Sequence, residues 1–341
     1  MDGTFSIVRH LDFVQIYIIS VYIRVDDRSH SFPIFYSLMK NRRKSDYLMI
    51  FEDLKYYFNY FTGNNLEDIL TKIKLDCELA ALGALGTLFP KCTILLCRVH
   101  IIRNWCKWFK HYICPTFYKN KYLSSIFRFF LGITFMNLRD NDILDAIYEH
   151  MNFIYESPEM SSKTAGFRSF VQYLLKNYLQ EDSKFPFDQW NYHESIQNGD
   201  LGVTTNPLEN INLKLKSKMG HGYLTQKSAF KKLKSFQEDE ICLYTSHVSQ
   251  NKMPKIKAKT LRREKMLMEH LNKFNNLKKQ DQILNIDYFA VEIGCYASDL
   301  DAKSFEKVPP PELCEIEENE SDSISTNSVK FLMTLRRRTK T

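Results

Sequence analysis

The chain has 341 residues, 44% hydrophobic and 26% charged, with eight cysteines and a formal net charge of +7. Cysteines scattered through so long a chain exclude a secreted disulfide framework and favour a reducing compartment. The length allows one large or two to three ordinary globular domains, and the positive balance favours an anionic partner. The start, MDGTFSIVRH, has no signal-peptide pattern, and the longest apolar run, FVQIYIISVYI, is too short and interrupted for a bilayer span. A soluble intracellular protein without membrane contact is therefore expected.

Along the chain, FVQIYIISVYI (13–23) and FPIFYSLM (32–39) are rich in β-branched and aromatic residues around a polar RVDDRSH turn, which predicts a hairpin. SDYLMIFEDLKYYFNYF (45–61) has helical period, with Leu48, Phe51, Leu54, Tyr57 and Phe58 on one stripe and Ser45 as N-cap. TKIKLD predicts a strand, CELAALGALGTLF a helix stopped by Pro90, CTILLCRV a buried strand and HIIRNWCKWFKHYI a helix. These elements form an α/β sheet of mixed direction over residues 1–112. Residues 113–198 read as an all-helical insertion, through KYLSSIFRFFLGITFMNL, NDILDAIYEHMNFIYES and TAGFRSFVQYLLKNYL. The α/β part resumes at 199–250 with a helix in TTNPLENINLKLKSKMG, where Asn206 is the N-cap, Pro207 lies in the first turn and Gly220 is the stop. Residues 251–341 begin Lys-rich and helical, turn acidic and Ser-rich in a stretch expected to be disordered, and end LRRRTKT.

Three carboxylates stand at the mouths of predicted elements: Asp2, Asp76 and Glu209. Side chains at the carboxyl ends of neighbouring parallel strands converge on one crevice, and three carboxylates there suit a pair of hard divalent ions. Each residue also has a plainer reading. Asp2 fits a turn before Gly3, Asp76 a cap for the helix that follows, and Asn206-x-x-Glu209 a capping box. Cys97-x-x-His100 has two readings as well: a core cysteine beside a polar histidine, or part of a zinc site completed by Cys106, His111 and Cys114.

Together these residues resemble the transposase domain of Mutator-like elements, in the DDE transposase superfamily with a ribonuclease-H-like core. The resemblance runs over about residues 1–245. It is carried by DGTF at Asp2, the Y-x-x-x-F-x-x-L helix at Tyr47, Phe51 and Leu54, and the acid-bearing strand and Ala-rich helix at Asp76. Cys97 and His100 then follow the next strand, and the T-N-x-x-E helix supplies Thr205, Asn206 and Glu209. Cys77 departs from the family's bulkier residue, while Glu78 keeps the expected acid. The resemblance implies Asp2, Asp76 and Glu209 as catalytic ligands of two Mg²⁺ (or Mn²⁺) ions, with Cys97 and His100 as a core motif beside them. It also implies DNA cleavage at transposon ends by water, followed by attack of the 3′ hydroxyl on target DNA. Trp190 falls near a tryptophan that often precedes the last acid, and with Lys214, Lys216 and Lys218 is expected to contact DNA.

The chain opens one residue before Asp2, without the amino-terminal zinc-finger region of full-length relatives, so a truncated, inactive copy is one form of this expectation. The alternatives are a non-catalytic DNA- or protein-binding derivative of a transposase and, more remotely, a zinc-stabilised interaction domain. Nuclear localisation and homo-oligomerisation accompany the transposase reading, with LRRRTK as an import patch.

Overall fold

A computed structural model of the chain describes residues 2–4, 13–199, 206–220, 225–249, 252–296, 305–309 and 311, and of residues 2–4, 206–209 and 249 the backbone alone. The chain divides into two compact units, each built from two stretches: Met1–His100 with Gly202–Leu261, and Ile101–Leu201 with Arg262–Thr341.

In the first unit the expected hairpin forms. Strand β2 (Gln15–Val25) pairs antiparallel with β3 (Arg28–Met39), with a register shift at Ile19/Ser20. The tight turn needs a left-handed residue, and Asp26 supplies it at φ 52°, a conformation aspartate tolerates better than most side chains. Strand β1 (Asp2–Thr4) lies on the other edge of β2, with Asp2 opposite Ile18.

Period-two alternation gives β2 two apolar faces. Ile16 and Ile18 pack with Ile211, Leu215 and Met219 of α10 (Asn206–Met219) and Leu233 and Phe236 of α11 (Gln226–Ser249). Tyr17 meets α1 (Lys44–Thr62) edge-on, its ring centroid 5.1 Å from Tyr47 and 6.2 Å from Phe51.

Helix α1 corrects two expectations. It starts at Lys44, not behind a Ser45 cap, because the Asp46 carboxylate accepts the Arg43 backbone N–H at 2.9 Å. Its buried stripe is Tyr47, Ile50, Phe51 and Leu54, rotated so that Tyr57 is exposed.

Strand β4 (Lys72–Leu75), helix α3 (Leu79–Leu88) and strand β5 (Thr93–Leu96) form a parallel β–α–β unit, in register from Lys72↔Thr93 to Leu75↔Leu96. The small buried Ala81 and Ala84 belong to α3, which packs on α1. The mixed α/β class is present, but among the described residues the strands form two small sheets, β1-β2-β3 and β4-β5, where one mixed sheet was expected.

Helix α4 (Arg98–Tyr112) carries the chain into the second unit, whose described residues contain no strand. Its aromatic interior packs Phe109 against Phe117, Phe127 and Phe170, with ring centroids 4.8, 5.1 and 5.0 Å away. Helix α5 (Lys121–Ile133) and α14 (Ile286–Tyr296) cross on glycines. A Cβ at Gly132 would lie 1.9 Å from the Ala290 carbonyl oxygen, and one at Gly294 2.0 Å from that of Arg128. Among the described residues no helix is long and apolar enough to cross a membrane. The stretch expected to be disordered and the LRRRTKT end fall outside the described residues, apart from residues 309 and 311.

Candidate functional site

Asp76 follows directly on β4, and Cys97 on β5. The Cys97 N–H donates to the Leu75 carbonyl at 2.5 Å, so the two residues sit side by side at the carboxyl ends of the strands. Asp76 is not the N-cap of α3: Glu78 occupies that position, and makes no side-chain cap hydrogen bond there. The Asp76 Oδ1 is instead buried without a hydrogen-bond partner among the described residues. Leaving a buried polar group unpaired costs ~1–3 kcal/mol, and more when it is charged. Glu240, a buried carboxylate of the same unit, has a counter-charge: Lys214 Nζ lies 3.2 Å from Oε1, while Oε2, 3.9 Å from His30 Nε2, makes no hydrogen bond among the described residues. Asp76 has no ion pair among the described residues.

A polar relay reaches this rim from the hairpin. Gln15, buried at the start of β2, donates from Nε2 to the Tyr47 hydroxyl at 2.7 Å. That hydroxyl in turn hydrogen-bonds Glu78. Burial, then Glu78, and more weakly the Asp76 charge hold the Tyr47 hydroxyl well above the ordinary tyrosine range, so it remains a neutral donor. Sequence reasoning assigned Tyr47 to a motif but missed this bond and missed Gln15. The signal available was a lone glutamine inside FVQIYIISVYI.

Cys97 is fully buried, and α4 begins at Arg98, which puts the half-buried His100 in its first turn. Cys106 is also buried, and burial pushes its thiol up to about 12. Among the described residues no three His, Cys, Asp or Glu side chains are grouped to hold a metal. Cys97, His100, Cys106, His111 and Cys114 are therefore not gathered into a centre, which removes the zinc reading.

Residues 1–104 match the MULE transposase domain. This transposase segment holds Asp2, Tyr47, Asp76, Glu78, Cys97 and His100, and lies under a third of the chain's length. No curated protein and no solved structure matches the chain significantly.

Beyond the transposase segment, α10 starts at Asn206 and ends where Gly220 turns left-handed at φ 78°. It packs against β1 and β3. The β1 strand with Asp2 and the helix with Glu209 thus meet over Ile16 and Ile18, while the Asp2 and Glu209 side chains lie outside the described residues.

Three of the expected DNA contacts have other partners. Trp190 is wholly buried in the second unit, where its Nε1 donates to the Tyr178 and Phe185 carbonyls at 3.1 and 3.0 Å and its ring meets Trp105. It is a core residue, with no face left for DNA. Lys214 pairs with Glu240, and Lys218 with Asp239 at 2.5 Å, while Lys216 stands exposed on the same helix.

Proposed function

We propose that the chain is a DDE-type transposase or a derivative of one, with Asp2, Asp76 and Glu209 as carboxylate ligands on a ribonuclease-H-like core. The observation that carries this reading is the buried, unpartnered Asp76 oxygen at a strand end inside the transposase segment. An oxygen donor left bare fits a hard divalent ion, Mg²⁺ or Mn²⁺, better than a soft one. The chemistry two such ions supply is activation of an attacking water or 3′ hydroxyl and stabilisation of the leaving oxygen in phosphoryl transfer. The chain's own part is to hold and orient. Tyr47, fixed by Gln15, keeps Glu78 in place beside Asp76. Lys216 and the basic residues that follow it neutralise phosphates without reading sequence. The substrate class is DNA, the reaction is strand cleavage and strand transfer at transposon ends, and the site of action is the nucleus.

A supercoiled-plasmid assay in Mn²⁺ tests the reading. Nicking is expected from the wild type and should fall to background in Asp76→Asn and Glu209→Gln, with DNA binding kept in all three. DNA binding without nicking in the wild type would replace the enzyme by a non-catalytic derivative. Absence of both would overturn the transposase reading altogether.

A further inference from the structure

Helix α1 presents a second apolar face, away from its buried stripe. Met49, Tyr56, Tyr57, Tyr60 and Phe61 are each between 48% and 77% exposed. The rings are ordered against one another. Tyr56 stacks on Tyr60 at 6.3 Å and Tyr57 on Phe61 at 6.4 Å, while Tyr60 meets Phe61 edge-on at 5.1 Å. Met49, Asp53, Tyr56 and Tyr60 recur at helical spacing on the side opposite Tyr47, Phe51 and Leu54. A contiguous aromatic stripe of this kind marks an interaction surface, since scattered single exposures are what an ordinary surface shows.

Charge selects the partner. Glu52 and Asp53 are exposed within the stripe, and Glu67 and Asp68 are exposed on the adjacent α2 (Leu66–Ile69). The nearby Lys55 is already engaged by Glu67. Those carboxylates repel a phosphate backbone, which argues against base stacking on the tyrosines. Pairing this face with itself in a second copy would place Glu52 and Asp53 of both copies in one interface, where Lys55, the cation within the face, is already engaged by Glu67. We infer that the Met49–Phe61 face of α1 docks a basic amphipathic helix of a partner protein. The partner's Lys and Arg stems lie over the tyrosine rings and their heads meet Glu52 and Asp53, while its apolar side chains cover Met49, Tyr56 and Tyr60.

The test pans the full chain against a displayed library of helical peptides about five turns long. Selected peptides should carry Lys or Arg interleaved with Leu, Met or Phe at helical spacing. Their affinity should fall ~10-fold or more for the Tyr56→Ala/Tyr60→Ala variant, the loss expected when an aromatic anchor is truncated. The Glu52→Lys/Asp53→Lys variant should invert the preference and select acidic peptides. All four side chains are exposed, so unchanged thermal melting of both variants is expected and confirms folding. Selection without charge preference would overturn the inference, as would equal binding to the double-alanine variant. So would binding of oligothymidylate that the double-alanine variant loses.

Discussion

The helical unit buries Trp190 with its indole N–H fully bonded, whereas in the hairpin unit an oxygen of Asp76, at the end of β4, is buried without a hydrogen-bond partner among the described residues. In the helical unit Trp190 buries a whole indole and spends its single N–H on two backbone carbonyls, and α5 and α14 touch backbone to backbone at Gly132 and Gly294. In the hairpin unit Glu240 has Lys214 and His30 as counter-charges, whereas Asp76 Oδ1 has no partner among the described residues. The contrast is one of counter-charge: Glu240 has a lysine within reach, while the half-buried Asp76, where two parallel strands end, has no ion pair among the described residues. Local violations of this kind are expected where chemistry has been favoured over stability.

The comparison can be broken by substitution. Trp190→Ala should cost ~3–5 kcal/mol of unfolding free energy, the range for emptying a packed aromatic site. Its DNA affinity, measured below its melting temperature, should be that of the wild type; a selective loss of affinity would return Trp190 to the DNA surface. Leu215→Ala, in the cluster that clamps α10 onto β2, should cost ~2–4 kcal/mol by the same measurement. Tyr47→Phe leaves the Gln15 amide only the weaker Met39 sulfur and removes a Glu78 contact, and should lower denaturant stability by ~1–3 kcal/mol. The smallest effect is in pH dependence. Burial alone would raise the Glu240 carboxyl, but His30 and Lys214 hold it below the ordinary glutamate range. With its folded pKa depressed, Glu240 contributes stability above the unfolded value that is lost as the pH falls through the folded one. In Lys214→Met burial is opposed by His30 alone, so melting curves between neutral pH and pH ~3, across the carboxylate range, should show a shallower acid loss than the wild type.

The parts of this structure readable from sequence are those set by local pattern. Runs of β-branched and aromatic residues around a polar turn predict the β2–β3 hairpin, and apolar runs bounded by Asp76 and Pro90 predict the β4–α3–β5 unit. What the sequence hid depends on distant contacts. The stripe of α1 is rotated because Tyr47 serves two tertiary partners, packing on Tyr17 and bonding Gln15. Lys214 and Lys218 look free for phosphate until α11 brings Glu240 and Asp239 beside them. A single tryptophan has no periodicity to reveal whether it is core or surface, so Trp190 was legible only in the fold. At the candidate site the place of Asp76 at a strand end was readable, but its lack of any cap or cation was not, because that requires knowing every neighbour.

The central claim is that Asp76 is kept unsatisfied for a cation, and thermal melting with and without Mn²⁺ tests it most directly. Without metal, Asp76→Asn should melt at or above the wild-type temperature, since it removes the charge from a half-buried carboxylate that has no ion pair among the described residues. Added Mn²⁺ should raise the wild-type midpoint and leave that of Asp76→Asn unmoved. If Asp76→Asn instead melts well below the wild type without metal, and both respond alike to Mn²⁺, Asp76 is a structural residue and the site assigned to it does not exist.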